Sequence, residues 1–299
     1  MSEQPGYLIV NADDYGYYRC VSRGILAAHR HGIVTATGVL TNGPGFERDI
    51  DLLGSEAKLD VGVHLNVTTG PALSAAMRSR LGKRDGHFAG KSAFAAAYLA
   101  RRIRVAEVEE EWRAQIERCR ERGLQPIFLN SHEHLHMFPA LFDLAHRLAA
   151  EYGIPYVRCT RPEGLHSRGP GALLRDAALA ALAARNLRRA PAGTPWFLGM
   201  RASGRLNEAV IEHTLRSISP GRAYELMCHP GQLDPLEIGA TDLLKYHDWE
   251  GELQALCNPA LRALLERRNI QLIGFRNLAA LSTGVNLAGA GPGGRRMQA

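Results

Sequence analysis

The sequence predicts an α/β protein with a mostly parallel sheet curled into a (β/α) barrel. Three observations carry that expectation. Short apolar runs alternate with stretches of helical periodicity along most of the 299 residues, the pattern of a parallel sheet covered by helices. The runs number about eight, the strand count of such a barrel. No G-x-G-x-x-G fingerprint follows the first run, so an open, doubly wound sheet with a dinucleotide site is the weaker alternative.

The elements follow in order. "GYLIVNA" (6–12) is β-rich and ends at Asp13 and Asp14. "VSRGILAAHRHG" (21–32) has helix-spaced apolar residues and stops at Gly32, a C-cap signal. "IVTATGVLTNG" (33–43) is the next strand and turn, and "LDVGVHLNV" (59–67) alternates Val61 and Val63 with Gly62 and His64. A charged helix over 105–122 leads into "PIFLNSHEHLH" (126–136), and a helix over 139–152 leads into "IPYVRCT" (154–160). "WFLGM" (196–200), "AYELMCHPG" (223–231) and "IQLIGFRNL" (270–278) complete the strands, with helices near 205–217 and 258–268. Segment 163–195 breaks the rhythm: a Gly/Pro-rich opening precedes an Ala/Leu-rich helix, read as an insertion packed on the barrel or a lid meeting a lipid-bearing substrate. Residues 288–299 have the composition of a disordered tail, so a single catalytic domain is expected over 1–287.

Composition narrows the function classes. A hydrophobic share of 45% and a charged share of 22% are ordinary for a globular chain long enough to bury a sizeable core. The net charge of +6 is spread over scattered arginines without a dense basic stripe, which argues against nucleic-acid binding. The five cysteines are widely spaced with no CxxC pair, so neither a disulfide framework nor a zinc ribbon is expected. No signal-peptide pattern opens the chain and no apolar run approaches the roughly 20 residues of a membrane span, so a cytoplasmic location is expected.

The polar residues carry the chemistry. Asp13 and Asp14 end the first strand; His64 lies near the end of the third; His132, His134 and His136 end the fourth; His229 ends the seventh. In a parallel barrel these strand ends share one face, where active sites are built. Two adjacent carboxylates repel unless a cation lies between or beside them. Carboxylate and imidazole donors suit Zn²⁺ or a similar divalent ion with positions left for water and substrate. Neighbouring side chains on a strand point different ways, so one aspartate can hold the ion while the other faces the water as general base. Cys228 precedes His229, points away from it and is expected to be buried and inert.

The stretches "LIVNADDYG", "GIVTATGVLTNGPG", "VGVHLNVTTGPAL", "LNSHEHLHMFP" and "ELMCHPG" together resemble the YdjC/ChbG family of carbohydrate deacetylases, in order from about residue 7 to 278. The resemblance implies a distorted (β/α) barrel and removal of acetyl groups from N-acetylated sugars such as chitooligosaccharides, with one divalent ion, Mg²⁺ or Zn²⁺. It implies that Asp14, His64 and His132 bind the metal, that Asp13 is the general base and that His229 is the general acid. His134 and His136 are left to orient a ligand or touch the sugar. The family often has Asp where this chain has Asn130; a branch associated with hopanoid lipids tends to share the Asn, which brings in a lipid-linked substrate and peripheral membrane contact, whereas "ELMCHPG" is more similar to the soluble-oligosaccharide branch. Arg158 and Arg161 are candidates for an anionic substrate group or for plain surface solvation. Tyr15, Phe138, Trp196 and Trp249 are candidates for sugar stacking or for the core. A homodimer is allowed. The rival classes are another metal-dependent hydrolase, such as a phosphodiesterase or amidohydrolase, and a catalytically silent sugar-binding protein.

Overall fold

The computed structural model describes residues 4–81, 85–161, 170–191, 193–239 and 243–282. Its eight strands are β1 (Gly6–Tyr15), β2 (Ala36–Val39), β3 (Asp60–Leu65), β4 (Phe128–Ser131), β5 (Tyr156–Val157), β6 (Trp196–Leu198), β7 (Ala223–Cys228) and β8 (Ile270–Leu272). All named pairings are parallel, in the order β5-β4-β3-β2-β1-β7-β6, with β8 against the first residues of β1. The predicted distorted barrel is therefore present as a curled half-barrel. Among the described residues no ladder joins β5 to β6, so the sheet curls without closing.

Strand alternation sorts the core into two faces. Leu8, Val10 and Ala12 of β1 pack outward with Val21 and Ile25 of the helix Arg19–His31. Tyr7 and Ile9 point inward, where they meet Ala36, Phe128, Ile273 and Phe275. Phe128 and Phe275 stack with centroids 4.3 Å apart and plug the bottom of the barrel. The plug explains Gly62: a Cβ there would lie 2.5 Å from the Phe128 ring. Further along the same inward face, the side chains turn polar. Asn11, Asp13, Asn130, Arg158 and Glu225 form a buried, hydrogen-bonded layer above the apolar plug.

Helices cover the outer face much as the periodicity predicts, including Val105–Glu121, Pro139–Glu151, Glu208–Leu215 and Pro259–Arg267. Gly32 follows the first helix but is not left-handed (φ −112°). It is required by close approach instead, since a Cβ would lie 2.5 Å from the Leu256 carbonyl oxygen. The Ala/Leu-rich helix is Pro170–Leu187, between β5 and β6; the Gly/Pro-rich opening before it falls mostly, and the expected tail wholly, outside the described residues. No helix among the described residues is long and apolar enough to cross a membrane.

Candidate active site

β1 delivers both aspartates, but in different directions. Asp13 continues the inward set of Ile9 and Asn11. Strict alternation would send Asp14 outward into the helices. Instead its backbone is left-handed (φ 74°), and the β1–β2 register shifts between Ala12 and Tyr15. This irregularity re-aims the carboxylate toward the strand ends, a familiar use of a bulge beside an active site.

Two imidazoles meet Asp14 there. His64 sits on the inward face of β3, and His132 follows β4 at the start of a 3-10 turn (His132–Met137). Asp14, His64 and His132 each offer a ligand atom, all within 4.8 Å of one another. Asp14 Oδ1 lies 2.9 Å from His132 Nδ1 and 3.3 Å from His64 Nε2. One carboxylate and two imidazoles on three different strand ends fit a divalent ion with open positions.

The electrostatics agree. Burial opposes charge on Asp14, yet His132 and His64 outweigh it and hold the carboxyl well below its ordinary value. Burial likewise opposes charge on His132, but Asp14 overrides it and raises the imidazole above its usual range. In the metal-free protein a proton thus competes for the His132 lone pair beyond the ordinary histidine pH. Metal affinity should accordingly rise with pH through and above 6.5, the unperturbed His132 value. Chelator competition across that range checks it; a flat affinity from pH 6 to 8 (roughly the histidine window) would exclude His132 as a ligand.

Asp13 has a different environment. Arg158 donates to both of its carboxylate oxygens, at 2.6 and 2.9 Å, and the Asn130 amide donates to Oδ1 at 2.8 Å. Burial opposes ionisation, but Arg158 and the nearby imidazoles prevail and hold Asp13 at about 2. Arg158 also donates to Glu225, which accepts from Asn11 as well. The Arg158 side chain is fully buried. It therefore bridges protein carboxylates and offers nothing to an anionic substrate group or to solvent, contrary to those sequence expectations. Arg161 instead lies over the half-exposed Trp196 ring, 4.0 Å from its centroid.

The three alternating histidines do not share a face. Glu133 (φ 55°) and His134 (φ 57°) are both left-handed, so the chain turns sharply after His132. His134 lines the cavity, with Nδ1 3.1 Å from the Thr160 hydroxyl and its ring edge-on to Phe197. Burial keeps it neutral, well below the usual imidazole range. His136 turns into the core. Its Nε2–H donates to the Arg158 carbonyl, so the Ser131 hydroxyl donates to Nδ1. It braces the turn and does not line the cavity.

His229 directly follows β7 and faces the same cavity. Its backbone N–H donates to Glu252 at 2.5 Å, while its Nδ1 is buried without a partner among the described residues. Burial lowers the His229 pKa and raises that of Glu252 to about 8. A further imidazole, unanticipated from sequence, stands beside it: His247 lies 5.0 Å from His229, stacked parallel on Trp249. Cys228 is buried against the Asn11 carbonyl, its thiol pushed well up by burial, as inert as expected.

The cavity holds about 510 Å³. Asp13, Asp14, His64, His132, His134 and His229 line it, together with the largely apolar side chains of Met137, Phe138, Leu182, Met200, Leu243 and Tyr246. Of the four aromatic candidates, Phe138 lines this cavity, and Tyr15 and Trp249 are buried in the core.

The chain is 31% identical to a carbohydrate deacetylase of Geobacillus stearothermophilus over 93% of its own length and all of that protein. A carbohydrate deacetylase of Mus musculus is 30% identical, over 91% of this chain and 94% of that one. A crystal structure from Enterococcus faecalis V583, described as a candidate cellobiose-phosphate cleavage protein, superposes with a TM-score of 0.70 at 25% identity. It covers 92% of this chain and 99% of that one. The family model described as YdjC-like protein matches residues 7–267, and the chain belongs to the YdjC-like family.

Proposed function

We propose that the protein is a metal-dependent hydrolase that removes the N-acetyl group from an N-acetylated amino sugar and releases acetate. The observation that carries this reading is the Asp14–His64–His132 triad with ionised Asp13 lining the same cavity. The names of the two deacetylase relatives support the same reaction. Asp14, His64 and His132 would hold the ion. When bound, that ion supplies Lewis-acid polarisation of the acetamido carbonyl and acidifies a neighbouring water. The imidazole donors favour Zn²⁺, with Mg²⁺ as the alternative.

The chain's own residues supply the rest. Asp13 is ionised throughout the working pH range and takes the proton from the attacking water. Its low basicity suits only a water already made acidic. His229 rests neutral because it is buried, so the proton it gives the departing amine must reach it during turnover. The proton lost by the water is the natural source. His229→Ala should lower kcat by about 10²–10⁴-fold, the usual worth of a general acid, with metal content unchanged. Metal analysis alongside kinetics checks this, and an undiminished kcat would remove His229 from the mechanism.

The apolar side chains in the cavity lining favour a substrate with an apolar substituent, and so a lipid-linked amino sugar over a free chitooligosaccharide. The deciding experiment incubates the zinc- or magnesium-loaded protein with both substrate types and follows acetate release and the mass lost from the sugar. Acetate from either type supports the reading, and the preferred type assigns the substrate. Phosphate-ester cleavage or hydrolysis of a non-sugar amide without acetate release from either sugar would favour the phosphodiesterase or amidohydrolase alternative. Binding without hydrolysis under both metals would favour a silent sugar-binding protein.

A further inference from the structure

Asn130 makes two buried hydrogen bonds of opposite polarity. Its amide nitrogen donates to Asp13 Oδ1 at 2.8 Å, and its amide oxygen lies 2.8 Å from His64 Nδ1. Asn130 is fully buried, on the strand position paired with His64 across the β3–β4 ladder. The neighbouring β2 residue makes room for this contact. A Cβ on Gly38 would lie 3.1 Å from the Asn130 amide oxygen and 3.2 Å from His64 Nδ1.

The polarity of these bonds is forced from the far end. Arg158 is permanently protonated, and its two terminal nitrogens donate to the two oxygens of Asp13. Asp13 can therefore only accept, and Asn130 must turn its NH₂ toward it. A flipped amide would set oxygen against oxygen between two buried side chains. With the NH₂ committed, the amide oxygen faces His64, and a carbonyl oxygen only accepts. His64 must then carry a proton on Nδ1, which leaves Nε2 as its metal-binding atom, and Nε2 is the nitrogen facing Asp14.

We propose that Asn130 is a positioning residue that relays a fixed hydrogen-bond polarity from Arg158 through Asp13 to His64, setting the imidazole form that presents Nε2 to the metal. The inference rests on the metal-site reading of Asp14, His64 and His132. It goes beyond that reading by making the charge of a residue remote from the metal set the protonation geometry of a ligand. A carboxylate at position 130 could still accept from His64, but it would face Asp13 with a second acceptor. The amide satisfies both neighbours at once.

The test uses the full-length zinc-loaded protein with ¹⁵N-labelled histidine, and needs no substrate. In the wild type, His64 should carry a slowly exchanging proton on Nδ1 and bind zinc through Nε2. N130L, close in size but unable to bond, should lose that slowly exchanging signal and weaken zinc binding roughly 10–100-fold, as loss of a ligand-orienting contact does. N130D restores the acceptor and should recover the Nδ1–H signal, which a purely packing role would not require. The proposal is overturned if N130L keeps wild-type zinc affinity and exchange, if N130D behaves as N130L does, or if His64 binds zinc through Nδ1. A wild-type chain that binds neither zinc nor magnesium overturns the metal-site reading and the relay with it. A wild-type chain that binds zinc while N130L matches it in affinity and exchange overturns the relay alone.

Discussion

Replacing Asp14 with alanine should remove bound metal and turnover together. Asp14 is the one carboxylate in the triad and contacts both imidazoles. Without it two neutral donors remain, too few to hold a divalent ion in a defined geometry. Lewis-acid stabilisation is worth several kcal/mol, so kcat/KM should fall at least about 10³-fold. Metal content measured after dialysis should fall in parallel. A variant that keeps stoichiometric metal would show that another group is the carboxylate ligand. In the metal-free protein the same substitution breaks the Asp14–His132 ion pair. Asp14 has a depressed pKa, so its contribution is full above 3.8 and lost as pH falls through the folded value. His132 has a raised one, so its contribution is full below 6.5 and lost as pH rises through the folded value. The stability gap between metal-free wild type and variant should therefore be widest between those two pH values.

Why the triad was legible and its surroundings were not follows from the range of each signal. The eight strands announce themselves locally, through apolar runs broken by helical periodicity, and the strand ends place Asp14, His64 and His132 on one face. The direction of Asp14 is another matter: alternation sends it outward, and its left-handed backbone is fixed by packing around β1. Alternation also fails at 132–136, because the strand stops at Ser131 and two left-handed residues distribute the three histidines to the triad, the cavity wall and the core. Arg158 and Glu225 were harder still. Their partners lie 67 to 214 residues away in the chain, and no local spacing encodes such a pairing. The hint was Glu225 itself, a charge inside the apolar run "AYELMC", since an ionised side chain is seldom buried without a partner. His247 carried no comparable sign, because the loop that holds it belongs to no strand end.

Asp13→Asn separates the two adjacent carboxylates that define this site. The substitution keeps the side chain's shape and one acceptor for Arg158 but removes the charge that would take a proton. Turnover should fall by about 10²–10⁴-fold, the range for a general base. Metal content should stay close to wild type, because the three ligands are untouched and the new amide keeps an oxygen that can accept from Asn130. Arg158 keeps Glu225 as a counter-charge, so the arginine is not stranded and the chain should still fold. Some stability is lost nonetheless. Asp13 is held at about 2 in the folded chain against an ordinary 3.8, which is worth about 2 kcal/mol at neutral pH. That contribution is complete above 3.8 and disappears as pH falls through 2, so the stability difference between wild type and variant should be constant near neutrality and shrink in acid. Loss of metal from this variant would give Asp13 a part in metal binding, as a ligand or through Asn130 and His64, and undo the division between the two aspartates. Full turnover would leave the chain without an evident proton acceptor. The two aspartates thus differ by one measurable property: Asp14 controls whether metal stays, and Asp13 controls what the occupied site can do.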